Sequence, residues 1–224
     1  MTFTIAARCA KTGRFGVAIS SSSPAVAARC AHVRAGVGAV ASQNITDPRL
    51  GPAMLNKIEA GASASEAIDA LVASRADIDH RQLAAIDAKG DASAFSGSAT
   101  LGIHATARGR DCVAAGNLLA SLHIPSAMVA AFARTQGDFG DRLLLALAAG
   151  LAAGGEAGPV HSAGLVIVDQ VEWPVTDLRV DWDESDPIGR LRVLWELWKP
   201  QAAAYVQRAL NPAAAPTYGV PGDE

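Results

Sequence analysis

The order in which hydrophobic periodicity changes along these 224 residues constrains the fold more than any single motif. Residues 2–9 and 15–21 are β-rich runs separated by Lys11-Thr12-Gly13-Arg14, whose glycine supplies the positive φ of a tight hairpin loop. An alanine-rich stretch then runs from Pro24 to Arg34, followed by a turn at Ala35-Gly36 and a third strand, Val37 to Ser42, built only of small residues. Small residues permit close backbone approach. From Pro52 to Arg75 the period becomes helical, with Met54, Leu55 and Ile58 on one stripe and Ile68, Leu71 and Val72 on another. Gly61 separates the two stripes, and Ser63-Ala64-Ser65-Glu66 has the spacing of a capping box that starts the second helix. Short apolar strands return at Gln82 to Ala88, Ala92 to Phe95 and Cys112 to Leu118. Helices follow at Ser126 to Thr135 and Asp141 to Ala153, the latter carrying a stripe of Leu143, Leu144, Leu147 and Leu151. Strands at Ala163 to Asp169 and Val175 to Trp182 precede a last helix that Asp186-Pro187 opens and Pro200 stops or kinks.

Read as a whole, the order is three strands, two helices, three strands, two helices, two strands and one helix. Apolar helix faces need a sheet to cover, so two helix pairs and about eight strands pack most economically as two face-to-face sheets with helices outside. The expected fold is α+β, a four-layer αββα sandwich. Strands that come in hairpin groups argue against a doubly wound parallel sheet, whose Gly-x-Gly-x-x-Gly loop is also absent. One domain is expected over residues 1–210, with a flexible tail over 211–224 signalled by prolines at 212, 216 and 221.

Charge and composition remove several function classes. A net charge of −3 with scattered Lys and Arg supplies no clustered positive field for nucleic acid or an anionic membrane. The first thirty residues are interrupted by Arg8, Lys11 and Arg14, and no run of eighteen apolar residues escapes charge or turn residues, so a soluble, cytoplasmic protein is expected. Cys9, Cys30 and Cys112 are odd in number and far apart, which reads as three reduced core residues. His32, His80, His104, His123 and His161 show no i, i+4 pair, so neither a metal nor another cofactor is expected. A Gly-x-Ser-x-Gly elbow and a phosphate-binding Gly-x-x-x-x-Gly-Lys loop are both missing.

Thr2 is the chemically suggestive residue, because it opens the first strand directly after Met1. Were Met1 removed, Thr2 would carry a hydroxyl nucleophile and a free α-amine of pKa about 8 as its base. With Met1 retained there is no free amine on Thr2, and the residue reads as the β-branched start of a strand.

Several segments together resemble the domain-of-unknown-function family 1028, which is grouped with the N-terminal-nucleophile (Ntn) hydrolases. They are Thr2 to Arg8, Arg34 to Gln43, Arg81-Gln82-Leu83, Ala115-Gly116-Asn117-Leu118 and Asp177 to Asp181. The similarity runs over most of residues 2–198. It implies the αββα fold and amide hydrolysis. The chain departs from the family pattern at Cys9, where an acidic residue often follows the arginine, and at Ser21-Ser22-Ser23, where a basic residue often lies. His32 stands where an aromatic is expected.

For an Ntn site the resemblance implies Thr2 as nucleophile and a cation from a neighbouring strand that lowers the amine's pKa, with Arg34 preferred over His32. Ser42, Gln43 and Asn44 end the small-residue strand, where outward-pointing amides could hold an oxyanion or simply cap a helix. Arg8 shares strand parity with Thr2 and is expected to bind a substrate carboxylate or brace the core, and Asn117 to reach the cleft. Ser20 to Ser23 reads as turn chemistry before pocket lining. The leading reading is an amidohydrolase acting on a small amide or peptide-like metabolite. Its alternatives are a noncatalytic ligand-binding member of the fold, and an interaction protein in which Trp173, Trp182, Trp195 and Trp198 cover a partner surface, although such tryptophans are most often core or a homodimer seam.

Overall fold

Strand β1 (Thr2–Arg8) and strand β2 (Phe15–Ser21) form the hairpin on which the rest of the chain is assembled, paired antiparallel from Phe3 opposite Ser20 to Arg8 opposite Phe15. The computed structural model describes residues 1–222. A short helix α1 (Val26–Cys30) leads into β3 (Ala31–Arg34) and β4 (Gly38–Asn44), then helices α2 (Leu50–Glu59) and α3 (Ala64–Ser74). Four strands follow: β5 (Arg81–Asp87), β6 (Ala92–Ser96), β7 (Ala105–Gly109) and β8 (Cys112–Asn117). After α4 (Ile124–Arg134) and α5 (Phe139–Ala152) come β9 (Ser162–Val168), β10 (Thr176–Val180), α6 (Pro187–Trp198) and α7 (Ala202–Leu210).

The strands make two antiparallel sheets, one in the order β10-β9-β2-β1-β8-β7 and one in the order β3-β4-β5-β6. Alternation along each strand sends one set of side chains to helices and the other to the facing sheet. From the first sheet, Phe3, Ile5 and Leu165 pack on Met128, Phe132, Leu143, Leu147, Leu191 and Trp195 of α4, α5 and α6. From the second, Val40, Leu83 and Ala85 pack on Met54, Leu55, Ile68 and Leu71 of α2 and α3. Between the sheets lie Ala6, Val17, Ile19, Ala39, Ala41, Ala84, Ile86, Val113 and Ala115, a layer in which alanines bring the backbones together. The result is the expected four-layer αββα sandwich.

Two strands extend the expected set. The alanine-rich segment after Pro24 divides into α1 and the four-residue β3, and β7 pairs with the exposed side of β8. Both are edge strands with partly exposed residues, so neither carries the apolar run that marks a buried strand. The segment after Leu210 folds back on α7: Arg208 Nη2 donates to the carbonyls of Pro216 and Thr217 at 3.0 Å, and the Arg208 guanidinium sits 3.8 Å from the Tyr218 ring centre. Residues 223 and 224 of the expected tail lie outside the described residues. Trp195 is buried in the core, Trp198 is half-buried, and Trp173 and Trp182 are exposed.

Candidate functional site

Strand parity places a polar end on the apolar layer between the sheets. The side chains that alternate with Ala6, Ile19, Ala41, Ala84 and Ala115 on the same faces are, in turn, Thr2, Ser21, Gln43, Gln82 and Asn117. Thr2 and Asn117 are direct partners across β1 and β8, and Gln43 and Gln82 across β4 and β5. Thr2 is 5 % exposed, Gln43 1 %, and Ser21, Gln82 and Asn117 fully buried. Five uncharged polar side chains therefore share one buried end of the sandwich.

The Thr2 hydroxyl faces the Met1 carbonyl and lies 3.4 Å from Ser21 Oγ. Ser21 Oγ also donates to the Met1 carbonyl, and it accepts from the Ser23 amide at 3.0 Å. The Met1 carbonyl is thus held by two hydroxyls. Glu156, 4 % exposed, accepts from the Ser22 amide, with both carboxyl oxygens at 3.2 Å. Burial pushes its carboxyl up to about 7, against the opposing pull of the Met1 α-amine and the hydrogen bonds from Ser22. Its loop is tied to the end of β8 by Ala157 N donating to the Leu118 carbonyl at 2.9 Å and Ala120 N to the Gly155 carbonyl at 3.0 Å. Ser162, at the start of β9, donates to the Ser23 carbonyl at 2.6 Å and fixes the serine segment from the other side.

A second network lies beside Thr2. Gln82 Oε1 accepts from Gln43 Nε2 at 2.8 Å and from Asn117 Nδ2 at 3.1 Å, while Gln82 Nε2 donates to the Gly116 carbonyl and to Ser96 Oγ, both at 2.9 Å. The backbone here is strained. Ala25, Asn44 and Leu118, all adjoining this end, take left-handed φ values of 51°, 75° and 51°, a conformation that costs a side-chain-bearing residue about 1 kcal/mol or more.

Of the residues singled out in the sequence, the structure brings together Thr2, Gln43 and Asn117, with Asn44 at the rim. Asn44 Nδ2 donates to the His80 carbonyl at 2.6 Å, and its Oδ1 accepts from Leu101 N at 3.2 Å, so it braces two loops. The structure does not bring the others to Thr2. Arg34 stands opposite Gly38 at the far end of β3, where Nη1 meets Glu59 at 2.6 Å and Nη2 meets Asn56 at 2.9 Å. His32 pairs with Val40, whose side chain faces α2, and a Cβ on Gly51 of that helix would lie 2.0 Å from its ring. Burial lowers its pKa, so it is a neutral packing residue and not a cation at the site. Arg8 has the parity of Thr2 but sits at the other end of β1, bound to Asp111 at 3.1 Å and to the Ala88 carbonyl. Ser42 faces the helix layer and donates to the Asp47 carbonyl at 3.2 Å.

Sequence reasoning ranked pocket lining by Ser21 below turn chemistry, and missed Gln82 and Glu156 as members of this end. The parity of Val17, Ile19 and Ser21 was available as a signal, and so was that of Gln82 with Ala84 and Ile86. Glu156 carried none, since it follows a Gly-Gly helix stop and reaches the site only through the fold. Among the described residues no group of three or more His, Cys, Asp or Glu is placed to hold a metal ion, and no helix is long and apolar enough to cross a membrane.

Fold and site together define a class: an αββα sandwich whose first strand begins with a hydroxyl buried in the polar end of the inter-sheet layer. The chain belongs to DUF1028, a family of unknown function that matches residues 2–191. It is similar to a Silicibacter pomeroyi protein of that family solved by crystallography, at 29 % identity and a TM-score of 0.85 over 92 % of this chain and 90 % of that one. More distant likenesses are to Thiobacillus denitrificans BPH in complex with epoxomicin, at 14 % identity and a TM-score of 0.40 over 76 % and 100 % of the two chains, and to Anbu, an ancestral β-subunit, from Yersinia bercovieri, at 12 % and 0.38 over 92 % and 97 %. These two are too remote to carry an argument about this chain. No curated protein matches it.

Proposed function

We propose that the protein hydrolyses a small amide or peptide-like metabolite, with Thr2 as an N-terminal nucleophile once Met1 is removed. The observation that carries this reading is the pair of hydroxyls on the Met1 carbonyl. That carbonyl marks where a substrate carbonyl would lie, with Thr2 Oγ1 beside it to attack and Ser21 Oγ to donate to the oxygen as it becomes negative. The freed α-amine of Thr2 takes the hydroxyl proton and gives it to the leaving amine as the C–N bond breaks, and water then hydrolyses the Thr2 acyl ester to release the acid. No lysine or arginine is needed to hold the amine near neutral pH, since an α-amine titrates at about 8 unaided.

The test is the intact mass of protein made in cells, together with turnover of a panel of acyl p-nitroanilides by the wild type, Thr2→Ala and Ser21→Ala. A species trimmed to Thr2 is expected to be active. Thr2→Ala is expected to lose that activity, and Ser21→Ala to lower kcat about 100-fold, the size of losing one oxyanion donor. Turnover that survives Thr2→Ala overturns the proposal.

A noncatalytic binding role is the second reading, favoured by one observation. The Thr2 hydroxyl is nearly buried beneath Met1. A ligand-induced rise in melting temperature without turnover, in protein that keeps Met1, is the outcome this reading expects.

A further inference from the structure

Two buried atoms beside Thr2, Gln43 Oε1 and Asn117 Oδ1, have no hydrogen-bond partner among the described residues. Their identity as oxygens follows from the network. The Gly116 backbone carbonyl can only accept, so the Gln82 group 2.9 Å from it is the Nε2 amine and Oε1 points the other way. That oxygen in turn requires the amines of Gln43 and Asn117, which it receives at 2.8 and 3.1 Å. Both carbonyl oxygens are thereby left over, on two amides that share one acceptor. A native protein rarely leaves one buried acceptor empty, let alone two together.

We propose that Gln43 and Asn117 form a subsite for a neutral –C(O)NH2 head, a primary carboxamide or a ureido group, on the substrate of the Thr2 site. The two N–H bonds of one carboxamide NH2 supply the two donors that these two acceptors lack. A carboxylate would set its oxygens against theirs. An ammonium would be desolvated among Thr2, Ser21, Gln82 and Ser96, all uncharged, with the Glu156 carboxyl already engaged by Ser22. The inference rests on the proposed hydrolase reading for its substrate, but binding at the subsite is separable from turnover.

The experiment measures melting temperature against ligand concentration for mass-verified protein beginning at Thr2, as wild type and as the corresponding Thr2→Ala form. The probes are butyramide and N-ethylurea, compared with butyrate and 2-pentanone. Both amides are expected to raise the melting temperature in both proteins with an affinity about tenfold or more above butyrate and 2-pentanone, the size of a single good hydrogen bond. Gln43→Met and Asn117→Leu, which keep bulk and remove the acceptors, are each expected to abolish the difference, and either variant that folds suffices. The proposal is overturned if amide and acid shift the protein alike, if neither shifts it, or if the preference survives removal of the acceptors. The first two outcomes leave the oxygens to buried water. Hydrolysis that depends on Thr2 without any carboxamide preference keeps the hydrolase reading and sinks only the subsite. A preference retained in the Thr2→Ala form with no turnover in the wild type does the reverse.

Discussion

Glu156 is where a single residue most visibly couples this end of the molecule to pH. Its folded carboxyl titrates at about 7, raised from 4.5 by burial. A group whose folded pKa lies above its unfolded value gives stability that is complete below the unfolded pKa and is lost as pH rises through the folded one. The protein is therefore expected to lose about 2–3 kcal/mol from this group between roughly pH 4.5 and pH 7.5, and Glu156→Gln to flatten that slope. Urea unfolding of both proteins across the range checks it, and parallel curves would remove Glu156 as the cause. The legibility of the site follows the same divide. Thr2 could be found because it directly follows Met1, and Gln43 and Asn117 because they lie at the ends of strands whose residues are small and apolar. Glu156 could not, because a loop residue has no period, and Arg34 misled because a β-strand has two ends and its parity does not say which of them meets Thr2.

Helix α3 illustrates how an element is held from outside itself. Ser63 caps it, with Glu66 N donating to Ser63 Oγ at 3.2 Å and Ser63 N to Glu66 Oε2 at 2.8 Å, as the spacing of the sequence anticipates. The next two amides go elsewhere: Ala64 N to Asp87 at 3.1 Å and Ser65 N to Asp91 at 2.8 Å. Asp87 also accepts from Lys89 N at 2.8 Å and Asp91 N at 3.0 Å, so one buried carboxylate ties the β5–β6 turn to the helix start. Ser63→Ala is expected to cost about 1 kcal/mol. Asp87→Ala is expected to cost about 3 kcal/mol or more, because three backbone donors lose a charged acceptor. Chemical denaturation of the two variants decides the order, and equal losses would contradict it. The local half of this arrangement was legible in Ser63-Ala64-Ser65-Glu66. The half supplied by Asp87 was not, since it depends on which turn the fold brings to the helix.

Over the whole molecule, layers were easier to read than edges. Two helix pairs with continuous apolar stripes demanded two sheets to cover, whereas β3 and β7 sit at margins where half-exposed residues blur the strand pattern. We take residues 1–210 as one folding unit, with 211–224 dispensable to it. The described part of that segment packs on α7, at Tyr205 and Arg208. Deleting 211–224 is expected to change stability by less than about 1 kcal/mol and to leave one cooperative thermal transition, read by calorimetry. A second transition, or a larger loss, would make the segment part of the core unit. The alanine-lined layer between the sheets has its own consequence for traffic. Ala6, Ala39, Ala41, Ala84 and Ala115 draw the sheets together behind Thr2, so the layer is close-packed beyond its polar end, where Met1 lies against the Thr2 and Ser21 hydroxyls. Under the proposed hydrolysis, a substrate would therefore have to present an end to Thr2 in the place that Met1 now takes, since the packed alanines leave a polymer no way through the layer.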